Sequence, residues 1–236
     1  MSAVIHLKQT SITSLLRHWV SQKVTSEALS WLDEKREQIR SGNLGREFFT
    51  SFSGVSRYLG KQQLELNPKD LKAAAVMEVG WCPGHWSVDQ AARTLLVLAL
   101  PQDDREKYLH ALEQVFTTAD MGELITLYQA LPLLPYPEQL QKRAAEGVRS
   151  NMVAVFEAIA LRNPYPAQYL NTLAWNQMVL KALFVGSPLH LIQNLGIRAN
   201  PDLAKMLIQY AHERQSANRP VPLELWQLVE QFAHNS

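Results

Sequence analysis

The chain has 236 residues, 47% of them hydrophobic and 19% charged, and its 23 Lys and Arg against 22 Asp and Glu leave a formal net charge of +1. That apolar fraction at near-zero charge excludes intrinsic disorder, and 10 Gly with 12 Pro exclude a collagen-like or low-complexity chain. Near-neutrality removes any bulk attraction to nucleic acid or to an anionic membrane.

Leu (35), Ala (24) and Gln (18) are the commonest residues, which is helix-forming material. From the N-terminus, Met1 to Val20 carry His6, Lys8 and Arg17 with no apolar core between them, so this stretch does not read as a secretory signal. Helical periodicity then predicts helices at roughly 4–22, 26–41, 45–59, 68–79, 87–100, 104–118, 121–131, 138–150, 152–162, 172–185, 188–195, 201–217 and 222–234. Asn67-Pro68 and Asn200-Pro201 each set a capping side chain before a Pro at the first helical position. Ser87 with Gln90, Asp103 with Glu106, and Asp120 with Glu123 have capping-box spacing, and Gly42, Gly60 and Gly186 mark helix ends. Thr94 to Leu100 is apolar nearly all round, as expected of a helix buried on every side. Leu225, Leu228, Val229 and Phe232 form the last apolar face. No segment alternates like a strand.

The expected fold class is all-α: antiparallel helix pairs stacked as a HEAT- or TPR-like α-solenoid, or a compact helical bundle. Helix pairs starting near 104, 138, 172 and 201 recur at intervals of about 30–35 residues, the spacing of helical repeats. The proline-rich Leu131–Pro137 (LPLLPYP) is the most rigid connector and forbids helix continuation. It separates an N-terminal part from the repeat-like pairs of 104–234 only in part, and one domain over 1–236 is expected. Uncharged runs at Leu124–Pro137, Asn163–Leu180 and Ala182–Ile197 are interrupted by Pro, Asn, Gln or Gly, so none reads as a membrane span.

Motifs that carry chemistry are missing. There is no G-x-S-x-G, P-loop or G-x-G-x-x-G pattern; Gly60-Lys61 is followed by Gln62. His212-Glu213 begins like H-E-x-x-H, but Ser216 stands where the second zinc ligand belongs. Cys82 and His85 have ligand spacing without a second pair, and a single Cys cannot form an internal disulfide. Cys82, between Trp81 and Pro83 in what reads as an inter-helix loop, is expected to be a structural or incidental thiol. Asp103 and Asp104 are simpler as helix-capping groups than as part of a magnesium motif, since Lys107 replaces the last carboxylate. No catalytic residue, metal or cofactor is expected.

The remaining candidates are polar. Arg143, Glu146 and Arg149 alternate in charge at spacings of three on one helix face. Asn151, Glu157, Asn163, Asn176, Lys181, His212 and Arg214 follow, and in stacked antiparallel helices such positions can converge on a surface that holds a polar or anionic ligand. The competing reading makes them solvated faces and inter-helix bridges. The six Trp are spread through the chain and read as core.

Several strings go beyond helix composition: Trp86–Arg93 (WSVDQAAR), Leu127–Glu138 (LYQALPLLPYPE), Arg143–Met152 (RAAEGVRSNM), Val155–Pro166 (VFEAIALRNPYP), Trp175–Pro188 (WNQMVLKALFVGSP) and Tyr210–Arg214 (YAHER). In this order they resemble the EboA family of bacterial proteins, over about residues 45–232, while the first 40 residues carry no such string. The resemblance implies a role beside gene-cluster partners, among them a UbiA-type membrane prenyltransferase, in moving secondary-metabolite precursors out of the cytoplasm. It implies a cytoplasmic protein, held at the inner membrane only through a partner, and it brings no catalytic residues. Trp86, Asp89 and Arg93 join the candidates as polar or aromatic positions of the family-like strings. A non-enzymatic adaptor is therefore the leading expectation. The alternatives are a small-metabolite carrier using Arg143, Arg149, Asn176 or Lys181, and an enzyme using Glu146, Glu157 or His212 as acid or base.

Overall fold

The computed structural model describes residues 2–42 and 45–234. The protein is 73% helical, with 13 α-helices and no strand among the described residues. By contacts it divides into two compact units, Met1–Pro137 and Glu138–Ser236, and the division falls at the end of the proline-rich connector.

The first unit contains α1 (Ser2–Ser21), α2 (Ser26–Arg40), α3 (Arg46–Leu59), α4 (Pro68–Met77), α5 (Val88–Leu98), α6 (Arg105–Thr118) and α7 (Met121–Ala130). Helix α5 is its centre and packs against α1, α2, α3 and α7. Every residue from Ala91 to Leu100 is buried, as the all-round apolar pattern requires. An isolated bridge between Gln63 and Ser87 ties the entry of α5 to the loop before α4: Val88 N donates to Gln62 O at 2.8 Å and Leu64 N to Trp86 O at 3.0 Å. Trp19, Trp81 and Trp86 stack in series with ring centroids 5.6 and 5.8 Å apart, and Trp19 Nε1 donates to Asp70 Oδ1 at 3.0 Å. These three rings are core, whereas Trp31 is half-buried and stacks at 4.3 Å on the exposed Tyr58.

The second unit contains α8 (Gln141–Arg149), α9 (Val153–Ala160), α10 (Tyr165–Tyr169), α11 (Thr172–Val185), α12 (Pro201–Ser216) and α13 (Leu223–His234). Packing follows chain order: α8 on α9, α10 on α9, α11 on α8, α9 and α12, and α12 on α13. Phe156, Tyr165, Trp175, Met178, Leu203, Leu207 and Leu225 form its interior. The Phe232 side chain, expected on the α13 face, lies outside the described residues.

Caps behave mostly as their chemistry dictates. Asn67 and Asp70 form a complete capping box, as do Asp120 and Glu123, and the Asn200 side chain accepts from Leu203 N at 3.0 Å. Gly186 ends α11 in the left-handed conformation at φ 77°, which a residue without Cβ adopts freely. Two expectations need correction, and one short helix is additional to those expected. The cap of α6 is Asp104, which accepts from Glu106 N and Lys107 N, rather than Asp103. The helix expected at 188–195 is only a 3₁₀ turn, Leu189–Leu191; the Leu191 carbonyl accepts from Arg162 N at 2.8 Å, and Asn194 takes φ 57°. The unexpected short helix α10 starts because Asn163 Oδ1 accepts from Tyr165 N at 3.0 Å while Pro166 occupies the first turn, where proline loses no hydrogen bond. Cys82 is exposed and immediately precedes the 3₁₀ turn Pro83–His85, in the inter-helix loop expected for it.

Candidate functional site

Most of the polar positions singled out above are spent on holding the fold. Trp86 is 2% exposed within the tryptophan series. Asp89 and Arg93 form a buried ion pair at 2.6 Å; Asp89 also accepts from the Ser87 hydroxyl at 2.5 Å, and Arg93 Nε donates to Phe52 O at 3.1 Å. These three residues form no accessible surface, which corrects their place among the ligand candidates. The correction has a simple cause: a charged pair one turn apart can be buried whole when each charge answers the other.

In the second unit Asn163 and Asn176 are buried too. Asn163 Nδ2 donates to Ala158 O at 3.1 Å, turning the chain from α9 into α10. The side-chain amides of Asn176 and Asn200 meet at 2.9–3.0 Å, joining the middle of α11 to the start of α12. Glu157 accepts from the Ser187 hydroxyl at 2.8 Å, and Arg143 pairs with Glu146 at 2.7 Å along α8. Arg214 Nε donates to Pro220 O at 2.6 Å and its guanidinium lies over Tyr210, so it fastens the turn after α12. His212 is exposed on the outer face of α12 with Lys205, Gln209 and Glu213. The thirteen positions therefore do not converge on one surface.

Three of them do come together. Arg149, Asn151 and Lys181 line a groove of about 560 Å³ between the α8–α9 turn and α11, with Val148, Val153, Gln177 and Phe184. Lys181 Nζ donates to Val148 O and Ser150 O, both at 2.6 Å, and lies 4.8 Å from the Phe156 ring centroid. It thus caps the C-terminal end of α8, where carbonyls lack intrahelical partners and the helix dipole favours a cation. Burial holds its ammonium below the ordinary lysine range. Arg149 is exposed and forms no ion pair among the described residues, which leaves it the uncommitted charge of the groove. Phe184 stands on the rim with 72% of its surface exposed.

A family model described as "Metabolite traffic protein EboA" matches residues 12–230. The chain belongs to the EboA family. The match takes in the second half of α1, so the EboA region begins ahead of residue 45, the start expected from the sequence strings. No curated protein and no solved structure matches the chain. No helix is long and apolar enough to cross a membrane, and no group of three or more His, Cys, Asp or Glu side chains is placed to hold a metal ion, among the described residues.

Two features of this EboA-family chain escaped the sequence. Phe184 and Leu173 are exposed, but α11 is apolar nearly all round, so periodicity could not separate its inner from its outer face. Arg198, in an apparently plain loop, donates to Pro166 O, Ala167 O and Leu170 O at 2.9–3.3 Å and lies 4.8 Å from the Trp175 ring centroid. It caps α10 as Lys181 caps α8, and burial lowers its pKa likewise. No local signal in Ile197–Pro201 announces that role.

Proposed function

We propose that this EboA-family protein is a non-enzymatic adaptor in the traffic of secondary-metabolite precursors, and that a partner protein from the same gene cluster docks at the groove beside α11. The observation that carries the proposal is the exposed stripe of mixed apolar and polar side chains on the open side of α11. Leu173 (64% exposed), Gln177, Lys181 and Phe184 (72% exposed) follow one another along that side, and Met152 (42%) and Val153 (45%) project from the neighbouring turn. Apolar side chains clustered beside an uncommitted arginine have the composition of a docking surface. An amphipathic helix fits it, with apolar anchors over Phe184 and a carboxylate toward Arg149. A cytoplasmic segment of the UbiA-type membrane prenyltransferase is the first candidate, which would hold the protein at the inner membrane without a span of its own.

The adaptor reading is also supported by the engagement of two of the three acid–base candidates, His212 being exposed. Glu157 is engaged by Ser187, and Glu146 by Arg143. The test is recovery of cluster-encoded proteins with the tagged full chain from its native host. The unaltered chain and a Val79→Glu control, changed at an exposed apolar residue of the other unit, are expected to recover the prenyltransferase. Phe184→Glu and Arg149→Glu are expected to lose it. Equal recovery by Phe184→Glu, or clean isolation of the unaltered chain with no cluster partner, overturns the proposal.

A further inference from the structure

The first unit holds a polar groove that the docking proposal does not use. It has a volume of about 560 Å³ and lies between α1, α2 and the C-terminal end of α5. Gln9, Thr13 and Ser14 line it from α1, Arg36 and Arg40 from α2, and Asp103 from the loop after α5. We propose that this groove binds a small metabolite carrying an oxyanion, phosphate or carboxylate, together with hydroxyl groups.

The argument starts from Arg36. It is 7% exposed, and its hydrogen bond runs from Nη1 to Asp33 Oδ1 at 3.0 Å. Its Nε–H is shut away from solvent with no acceptor among the described residues. A buried guanidinium with an unanswered edge is costly, and such an orphan group calls for a missing ligand or water. A small shift of the side chain toward the groove it lines would open the Nε–Nη2 edge, the side of the fork that takes both oxygens of a carboxylate or phosphate.

Charge points the same way. The Asp33 carboxylate already accepts three hydrogen bonds from Arg17 at 2.6–3.0 Å, so one negative charge serves two guanidinium groups. Burial pulls Arg36 below the ordinary guanidinium range; Asp33 opposes this, while Arg40 and Arg17 add to it. Arg40 is held only by an exposed i,i+3 pair with Glu37 at 2.7 Å, which is weak enough to be released to a ligand. Arg17 of α1 with Arg36 and Arg40 of α2 therefore stand against Asp33 and Glu37, which leaves one positive charge over.

The groove also holds a hydrogen-bond acceptor: Asp103 brings a carboxylate to it beside the end of α5, Leu98 to Leu100. A bare anion would meet repulsion there, whereas hydroxyl groups on the same molecule would be received. From α1, the Thr13 hydroxyl can donate or accept, and the Ser14 hydroxyl, which donates to Thr10 O at 2.9 Å, can still accept. The volume lies within the usual range for small-molecule sites.

The experiment is calorimetric titration of the full chain at low salt with four probes: glycerol 3-phosphate, glycerate, inorganic phosphate and glycerol. Glycerol 3-phosphate or glycerate is expected to bind more tightly than inorganic phosphate, and glycerol not measurably; which of the first two binds better identifies the oxyanion. Arg36→Lys keeps the charge but loses the fork and is expected to weaken the better probe about tenfold or more. Arg40→Gln, at an exposed position that does not threaten folding, is expected to weaken it several-fold, and Lys142→Gln, which removes one charge from the other unit, not at all. Absence of heat with every probe overturns the proposal. So does binding that survives both Arg36→Lys and Arg40→Gln, or binding of glycerol equal to that of its phosphate.

Discussion

Arg93 and Asp89 face each other at 2.6 Å one turn apart on α5, with 5% and 9% of their side chains exposed. A pair this deep is held by mutual neutralisation, because either charge alone would face the full cost of desolvation. Asp89→Asn leaves the guanidinium uncompensated and is expected to cost about 3–5 kcal/mol. The double change Asp89→Leu with Arg93→Met is expected to recover much of that loss. Thermal unfolding of the three proteins, followed by circular dichroism, checks both statements.

Lys181 is the matching case in the second unit. Lys181→Met keeps the stem over Phe156 but removes both donors to the α8 carbonyls, at an expected cost of about 2 kcal/mol. Hydrogen exchange is expected to accelerate first in the last turn of α8. Unchanged exchange there would mean that water replaces the ammonium at no cost.

Acid should loosen α1 from α2. Burial raises the Asp33 pKa, but the Arg17 and Arg36 contacts outweigh it and hold the group below the ordinary carboxylate range. A group with a depressed folded pKa contributes stability above its unfolded value, about 3.9, and that contribution fades as pH falls through the folded value. The stability difference between the unaltered chain and Asp33→Asn is therefore expected to be full at neutral pH and to shrink in strong acid. Denaturant unfolding across that range measures it; a difference constant with pH would contradict the assignment.

Tyr108 carries the opposite kind of polar group. Its hydroxyl is buried with no hydrogen-bond partner among the described residues, and burial pushes its pKa far up. Tyr108→Phe is expected to raise stability by about 1 kcal/mol, since an unanswered buried hydroxyl is removed at little loss of packing. A lower melting temperature for this variant would reveal a partner for the hydroxyl.

The helices were legible wherever packing and capping agreed. Asn67-Pro68, Asp120 with Glu123, and the apolar run through Leu100 each specify their structure within a few residues of chain. The α10 turn and the lost 188–195 helix were not, because the first depends on the Asn163 side chain turning back and the second on an Arg162–Leu191 contact across 29 residues of sequence. The candidate site was legible only at Arg149, Asn151 and Lys181. Polar residue types do not reveal whether they face water or a helix end, which is how Asn176 and Arg93 came to be expected on a surface. The Arg36 groove was hidden more deeply, since Lys35, Arg36 and Arg40 alternate with Glu34 and Glu37 and look like an ordinary solvated face.

The position of α5 has a consequence for synthesis. The three helices that surround it from the N-terminal side, α1, α2 and α3, leave the ribosome before their common support exists. Between the last residue of α1, Ser21, and the last of α5, Leu98, translation takes roughly 4–15 s. Until α5 is complete, α1, α2 and α3 can pack only on one another and on α4 and lack the helix they share. The nascent chain is then an open substrate for chaperones, and slowing elongation before codon 98 is expected to lower the yield of folded protein more than slowing it afterwards.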